Sequence, residues 1–253
     1  MTHALGDTAV LTGRSLRHIL RSPDTIITTA VMPVGIMLLF VYVLGGALET
    51  GAAASYVEYL LPGVLLMTIA FGVAYTAYRL FLDLQGGILE RFRSMPISRS
   101  SVLWAPVLTS VAANLASLVL VTGVALLMGF RTGASIGAWL AIVGILVLVT
   151  VALTWIAVIA GLSAKTVDGA SAFSYPIVLL AFVSSAFVPT ESMPAPVAWF
   201  AQHQPVTAVA DSLRALFAQQ SVGGEIWTAL AWLVALTALA SLLAARLYRR
   251  RSR

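Results

Sequence analysis

The sequence predicts an all-α, polytopic membrane protein with six transmembrane helices, on three observations. Of its 253 residues 60% are hydrophobic and only 10% charged, where soluble domains carry roughly a quarter charged. The apolar residues gather in runs near the ~20 residues that a helix needs to cross a bilayer. Lysine and arginine fall almost entirely on alternate joints between those runs, as they do when positive charge is retained on the cytoplasmic side.

Taken in order, residues 1–24 form a cytoplasmic amphipathic helix, with Leu5, Ala9, Leu16, Ile19 and Leu20 on one side and Arg14, Arg17 and Arg21 on the other, suited to lie on the inner leaflet. The run 25–48 begins too late and is too long for the core of a cleaved signal peptide, so it is read as the first span. Further spans are expected at 59–78, 102–130, 136–162, 170–188 and 226–245, with a basic tail at 246–253 as an anchor for anionic lipid. Pro33, Pro62, Pro106 and Pro176 lie inside spans, where neighbouring helices or local kinks satisfy the freed carbonyls. With the N-terminus inside, only Arg131 and Arg214 of the 15 basic residues fall outside, beside Glu49, Glu58, Glu191, Asp211 and Glu225. Both termini are therefore assigned to the cytoplasm.

Much chemistry is excluded. The chain has no cysteine, and His3, His18 and His203 are scattered among aqueous segments, so no catalytic or metal site is expected. The six runs carry no Asp, Glu, Lys, Arg or His, which disfavours ion-coupled secondary transport. Lys165 and Thr166 follow Ala164 where a phosphate loop needs glycine, and Lys165 reads instead as a topology anchor. The net charge of +5 sits at membrane-proximal joints and speaks for topology over nucleic acid. If ATP drives this protein, another chain binds it.

Two joints are longer than a turn requires. In 83–100, Gly86 and Gly87 break the preceding span, Ile88, Leu89, Phe92 and Met95 form an apolar face, Glu90, Arg91, Arg93 and Ser94 a polar one, and Pro96 stops the helix. Such a helix fits a groove on a partner protein, or else lies on lipid headgroups as an anchor. In 189–224, Val209, Leu213, Leu216 and Phe217 place an apolar stripe opposite Asp211 and Arg214, as expected of a helix half-entering the outer leaflet.

The run from Gly87 to Arg99, through Leu89, Glu90, Arg91, Pro96 and Ser98, resembles the joint between the second and third spans in permeases of type-2 ABC exporters. The outer segment, with Phe187, Pro189, Met193, Trp199, Phe200, Gln204, Pro205 and then Asp211 to Arg214, is similar to the re-entrant region of the daunorubicin-resistance branch, although Gln204 stands where the wider family commonly has asparagine. The resemblance covers the whole chain in span order. It implies that Gly87, Ile88, Leu89, Glu90, Arg91, Phe92, Arg93 and Pro96 couple the chain to a cytoplasmic ABC ATPase. It also implies that Phe187, Pro189, Met193, Trp199, Phe200, Gln204 and Pro205 form an outer gate, with a packing lid as the plainer reading.

The function this implies is that of the permease subunit of an ATP-driven exporter in a bacterial plasma membrane, moving a drug or lipid-like cargo. No cofactor is expected on this chain; ATP and magnesium belong to two copies of the ATPase, and a second permease copy or a paralogue completes the pathway. Tyr75, Tyr78, Asn114, Thr154 and Ser184 are pathway candidates, with Thr76, Ser117, Thr150 and Ser185 beside them. Residues of this kind are more often interhelical hydrogen bonds or packing contacts than ligands. The competing classes are a non-transporting assembly subunit and a lipid-modifying enzyme; the latter needs a polar cluster that the sequence does not offer.

Overall fold

A computed structural model of the chain describes residues 12–13, 29, 31–44, 56–87 and 99–251, the side chains of 99–102 and 251 apart. Among the described residues there are helices and turns and no strand. Helix α1, Met32–Leu39, runs on into a π-helical turn, Phe40–Leu44. Then come α2 (Tyr56–Gln85), α3 (Arg99–Leu127) and α4 (Ile136–Ser163). Two short helices follow, α5 (Val167–Ser171) and α6 (Ser174–Phe182), and after a turn at Thr190–Ser192 come α7 (Ala195–His203), α8 (Pro205–Phe217) and α9 (Glu225–Arg251).

Helices α2, α3, α4 and α9 are long and apolar enough to cross a membrane. At about 1.5 Å per residue each exceeds the ~30 Å hydrocarbon core, and the chain is a multi-pass membrane protein. The runs expected at 59–78, 136–162 and 226–245 lie on α2, α4 and α9, and 102–130 lies on α3 except for its last three residues, which follow the helix end at Leu127. Of the run 25–48, residues 29 and 31–44 are described.

The stretch 170–188, expected as one span, is not a single helix. Helix α5 ends at Ser171, α6 covers nine residues, and the chain leaves helical geometry at Val183, with φ −92° and ψ 48°. Hydrophobicity runs through the break; the backbone does not, because distant side chains satisfy its polar groups, as described below.

Helix ends follow local chemistry. Ser135 caps α4 by accepting from the Ala138 N–H at 3.2 Å, and Thr166 caps α5 by accepting from Gly169 at 3.1 Å. Gly129, with φ +101°, closes α3, and Gly87, with φ +69°, lies just past the end of α2. The amphipathic helix expected over 1–24 lies outside the described residues except for the helical pair 12–13, as do Ile88, Leu89, Glu90, Arg91, Phe92, Arg93 and Pro96 of the coupling segment.

Helix α2 is the hub, packing against α1, α3, α4, α5, α6 and α8. Over its most apolar stretch 78% of the residues of α2 are buried, against 17% for α9, which places α2 inside the bundle and leaves much of α9 uncovered by the rest of the chain. The main core joins Leu60, Leu61, Val64 and Ile69 of α2 to Val121, Ile142, Val149 and Leu213. A second cluster joins Val107, Trp155, Val158, Leu162, Ala240 and Ala244 of α3, α4 and α9. Where α4 crosses α2, Gly161 admits the neighbouring backbone: a Cβ there would lie 3.0 Å from the Ala77 carbonyl.

Candidate functional site

The proline pattern after α6 dictates a folded-back pair of helices. Pro205 occupies the first turn of α8 and holds the preceding Gln204 in an extended conformation, φ −85° and ψ 153°, so that α7 ends and α8 begins at one residue. Gln204 is 5% exposed. Its Nε2 donates to the Leu180 carbonyl at 2.9 Å and to the Val183 carbonyl, satisfying acceptors that the end of α6 would otherwise leave open. The corner between α7 and α8 is thereby tied to the break that follows α6.

One turn further, the polar face of α8 closes on Ser185. Thr207, Asp211 and Arg214 are spaced four and three residues apart and share that face. The Ser185 N–H donates to Thr207 Oγ1 at 3.3 Å, its hydroxyl donates to Asp211 Oδ1 at 2.7 Å, and its carbonyl accepts from Arg214 Nη2 at 2.8 Å. The same carbonyl accepts from the Tyr59 hydroxyl of α2 at 2.8 Å. Arg214 Nη1 pairs with Asp211 at 2.6 Å, and its guanidinium lies 4.2 Å from the centroid of the Tyr59 ring, a cation–π geometry. Three segments meet here: α2, the break at 183–187, and α8.

The packing of α8 follows from this arrangement. Val209, Leu213, Leu216 and Phe217 are buried, as an apolar stripe should be. Asp211 and Arg214, however, turn toward α2 and the break, and not out of the bundle, so both faces of α8 are held by protein. Phe217 makes edge contacts with Phe130 at 5.3 Å and Trp139 at 5.7 Å, and Thr132 donates to the Phe217 carbonyl at 2.8 Å.

The residues grouped as a gate separate into two kinds. Phe187 is 2% exposed, stacked on Phe182 at 4.9 Å and near Phe40 at 5.6 Å. The backbone beside it presses on Gly63, where a Cβ would come within 2.9 Å of the Ala186 carbonyl. Gln204 belongs with it. Trp199, 65% exposed, and Phe200 are on the surface of α7, with Trp199 stacked on His203 at 4.8 Å. Pro189, Met193 and Pro205 are half-buried.

The pathway candidates also divide. Asn114 donates to the Ser110 carbonyl at 2.9 Å, and Thr154 donates to Ser110 Oγ at 2.9 Å and contacts the Thr150 carbonyl at 2.6 Å. Asn114 and Thr154 are thus joined through Ser110 in a buried polar seam between α3 and α4. Opposite, Gly72 of α2 makes room for the Asn114 carboxamide, which a Cβ would overlap. Tyr75 and Tyr78 lie with ring centroids 6.0 Å apart further along α2. Ser184 makes local contacts, to the Ala181 carbonyl at 2.6 Å and the Ala186 N–H at 3.1 Å.

Helices α2 and α3 run antiparallel in register, Gly72 facing Asn114 and the next turn of α2 facing Thr109. Below that level they part around a small cleft lined by Tyr75, Thr76, Arg79, Leu80, Asp83, Pro106 and Thr109. Sequence reasoning had named Tyr75 and Thr76 but not Arg79, Asp83 or Thr109, because Arg79 and Asp83 lie beyond the charge-free run. It also missed the union of Tyr59, Thr207, Asp211 and Arg214. The legible signal was an Asp and an Arg three apart on a short helix whose other face is apolar.

The ABC-2 type transporter family matches the chain across residues 7–218. The chain is similar to the daunorubicin resistance ABC transporter permease protein DrrB1 of Streptomyces coeruleorubidus, with 27% identity over 234 residues, 91% of this chain and 81% of the relative. It is also similar to the probable doxorubicin resistance ABC transporter permease protein DrrC of Mycobacterium tuberculosis (strain CDC 1551 / Oshkosh), with 24% identity over 233 residues, 89% of this chain and 83% of that protein.

Proposed function

This chain belongs to the ABC-2 type transporter family, and from that premise we propose that it is the membrane-spanning permease of an exporter that moves a hydrophobic or amphipathic cargo out of a bacterial cell. The observation that carries the reading is similarity along nine-tenths of the chain to a permease named for daunorubicin resistance. The energy comes from a separate ABC ATPase. The joint around Glu90 and Arg91 receives it, with Ile88, Leu89 and Phe92 as the buried part of the contact. Two ATPase copies bind a pair of permease chains, and both termini face the cytoplasm, a placement that the arginine distribution supports.

In this reading the latch between α8, Ser185 and Tyr59 holds the outer end closed, and the aromatic cluster of Phe40, Phe182 and Phe187 seals it. Movement delivered at the inner joint shifts the helices as rigid bodies. The hydroxyl and amide groups between α2, α3 and α4, in surroundings otherwise apolar, suit a cargo that is largely apolar with a few polar groups.

Gentle solubilisation of native membranes, affinity capture of this chain and mass spectrometry of the bound proteins tests the proposal. An ABC ATPase in stoichiometric amount, with ATP-dependent cargo movement in vesicles reconstituted from that complex, supports it. Capture of the chain alone, or only with non-ATPase membrane proteins, across several detergents, overturns it in favour of an assembly subunit.

A further inference from the structure

The cleft between α2 and α3 has a chemical bias. Thr109 is 6% exposed, and its Oγ1 has no hydrogen-bond partner among the described residues. A hydroxyl so buried is costly unless something completes it. Thr76, across the cleft, donates its proton to the Gly72 carbonyl at 3.2 Å, so toward the cleft it offers lone pairs. Pro106 lines the cleft inside α3, and because proline has no N–H the carbonyl four residues earlier lacks its helical donor. Tyr75 and Leu80 supply aromatic and apolar lining, and Arg79 and Asp83, one turn apart with opposite charge, stand at the mouth. Deeper along the seam, the buried Asn114 Oδ1 is a further acceptor without a partner among the described residues.

The Thr109 and Tyr75 hydroxyls can each donate one proton, but with the lone pairs of both, those of Thr76, the open carbonyl before Pro106 and Asn114 Oδ1, acceptors outnumber donors above the mouth. We propose that this cleft is a recognition site for an apolar molecule bearing a hydrogen-bond donor, a hydroxyl or an ammonium group, which it gives to Thr109 while its ring or chain lies against Tyr75 and Leu80. The proposal deepens the exporter reading, since it places this site on the cytoplasmic half of the pathway and gives the cargo a chemical feature. Its binding chemistry depends on neither an ATPase nor transport.

The chain has no native cysteine, so Thr76→Cys provides a single thiol in the cleft. Inside-out membrane vesicles carrying the full-length variant are treated with a membrane-impermeant maleimide, and the labelled chain is captured and quantified. Three probes are titrated as protectants: 1-naphthol, 1-naphthylmethylamine and 1-methoxynaphthalene, the last with the same ring and no donor. The two donors are expected to protect at concentrations about five- to tenfold lower than the ether, the worth of one buried hydrogen bond.

In a Thr109→Val background that preference should fall to near unity, and in Thr109→Ser it should persist. Equal protection by all three probes, preference surviving Thr109→Val, or labelling only in right-side-out vesicles would each overturn the proposal. Because protection is read without nucleotide, a chain that binds the donors yet captures no ATPase sinks the exporter reading alone. One that captures the ATPase and shows no preference sinks this inference alone.

Discussion

Arg214 reaches 29 residues back along the chain to the main-chain oxygen of Ser185, 2.8 Å from its Nη2, while its Nη1 holds Asp211. The guanidinium fork and its flat face on Tyr59 use geometry that lysine does not have. Replacing Arg214 with Met is expected to destabilise the fold by about 2 kcal/mol, a figure already reduced for partial exposure. Arg214→Lys should cost about half as much. Thermal unfolding of the detergent-solubilised protein, followed by tryptophan fluorescence, should show Tm about 5 °C lower for Met. An unchanged Tm would mean that the latch holds nothing.

Gln204 joins two helix ends by its length as much as its amide. In Gln204→Asn the amide is one methylene shorter and loses the Leu180 and Val183 carbonyls, with a loss of about 1–2 kcal/mol. Hydrogen exchange at the amides of residues 183–186 should quicken, while the centre of α4 keeps its protection.

Gly72→Ala is expected to force α2 and α3 apart against Asn114, costing about 1–3 kcal/mol as overpacking does. Truncating the obstacle should return most of that. The double variant with Asn114→Ala is predicted to be more stable than the sum of the single changes implies, and strict additivity in a double-mutant cycle would show that the two residues do not meet.

The two kinds of gate residue should behave differently. Phe187→Ala opens a hole among Phe40, Phe182 and Gly63 and is expected to cost about 3–5 kcal/mol. Trp199→Ala on the surface of α7 should change stability by no more than about 0.5 kcal/mol. Comparable losses of Tm would put Trp199 in a contact that α7 does not make here.

At the inner joint, Glu90→Ala or Phe92→Ala should lower transport-coupled ATP hydrolysis at least about fivefold, as loss of an interface anchor does, with membrane insertion unchanged. Coupling at the wild-type level in both variants would remove this segment from the mechanism.

The four long helices were legible because hydropathy reports what lipid demands. Their ends were not: α2 runs on past Tyr78 through Arg79 and Asp83 to Gln85, since a charge marks where the membrane stops and says nothing of where the hydrogen-bond ladder stops. The break after α6 was invisible for the opposite reason. Its residues are apolar or small, and what ends the helix is Gln204, Thr207, Arg214 and Tyr59, the last more than a hundred positions away in sequence. Glu90 and Arg91, read from a family pattern, lie outside the described residues, so their role rests on the experiment above.

Tyr59 and Asp83 stand near opposite ends of one continuous helix, and this makes α2 a lever. Thirty residues extend about 45 Å, so a tilt of about 5° around the midpoint would sweep each end through about 2 Å, in opposite directions. That distance is enough to separate the Tyr59 hydroxyl from the Ser185 carbonyl while altering the width of the cleft at the other end. No bond within α2 need change for either end to register what happens at the other.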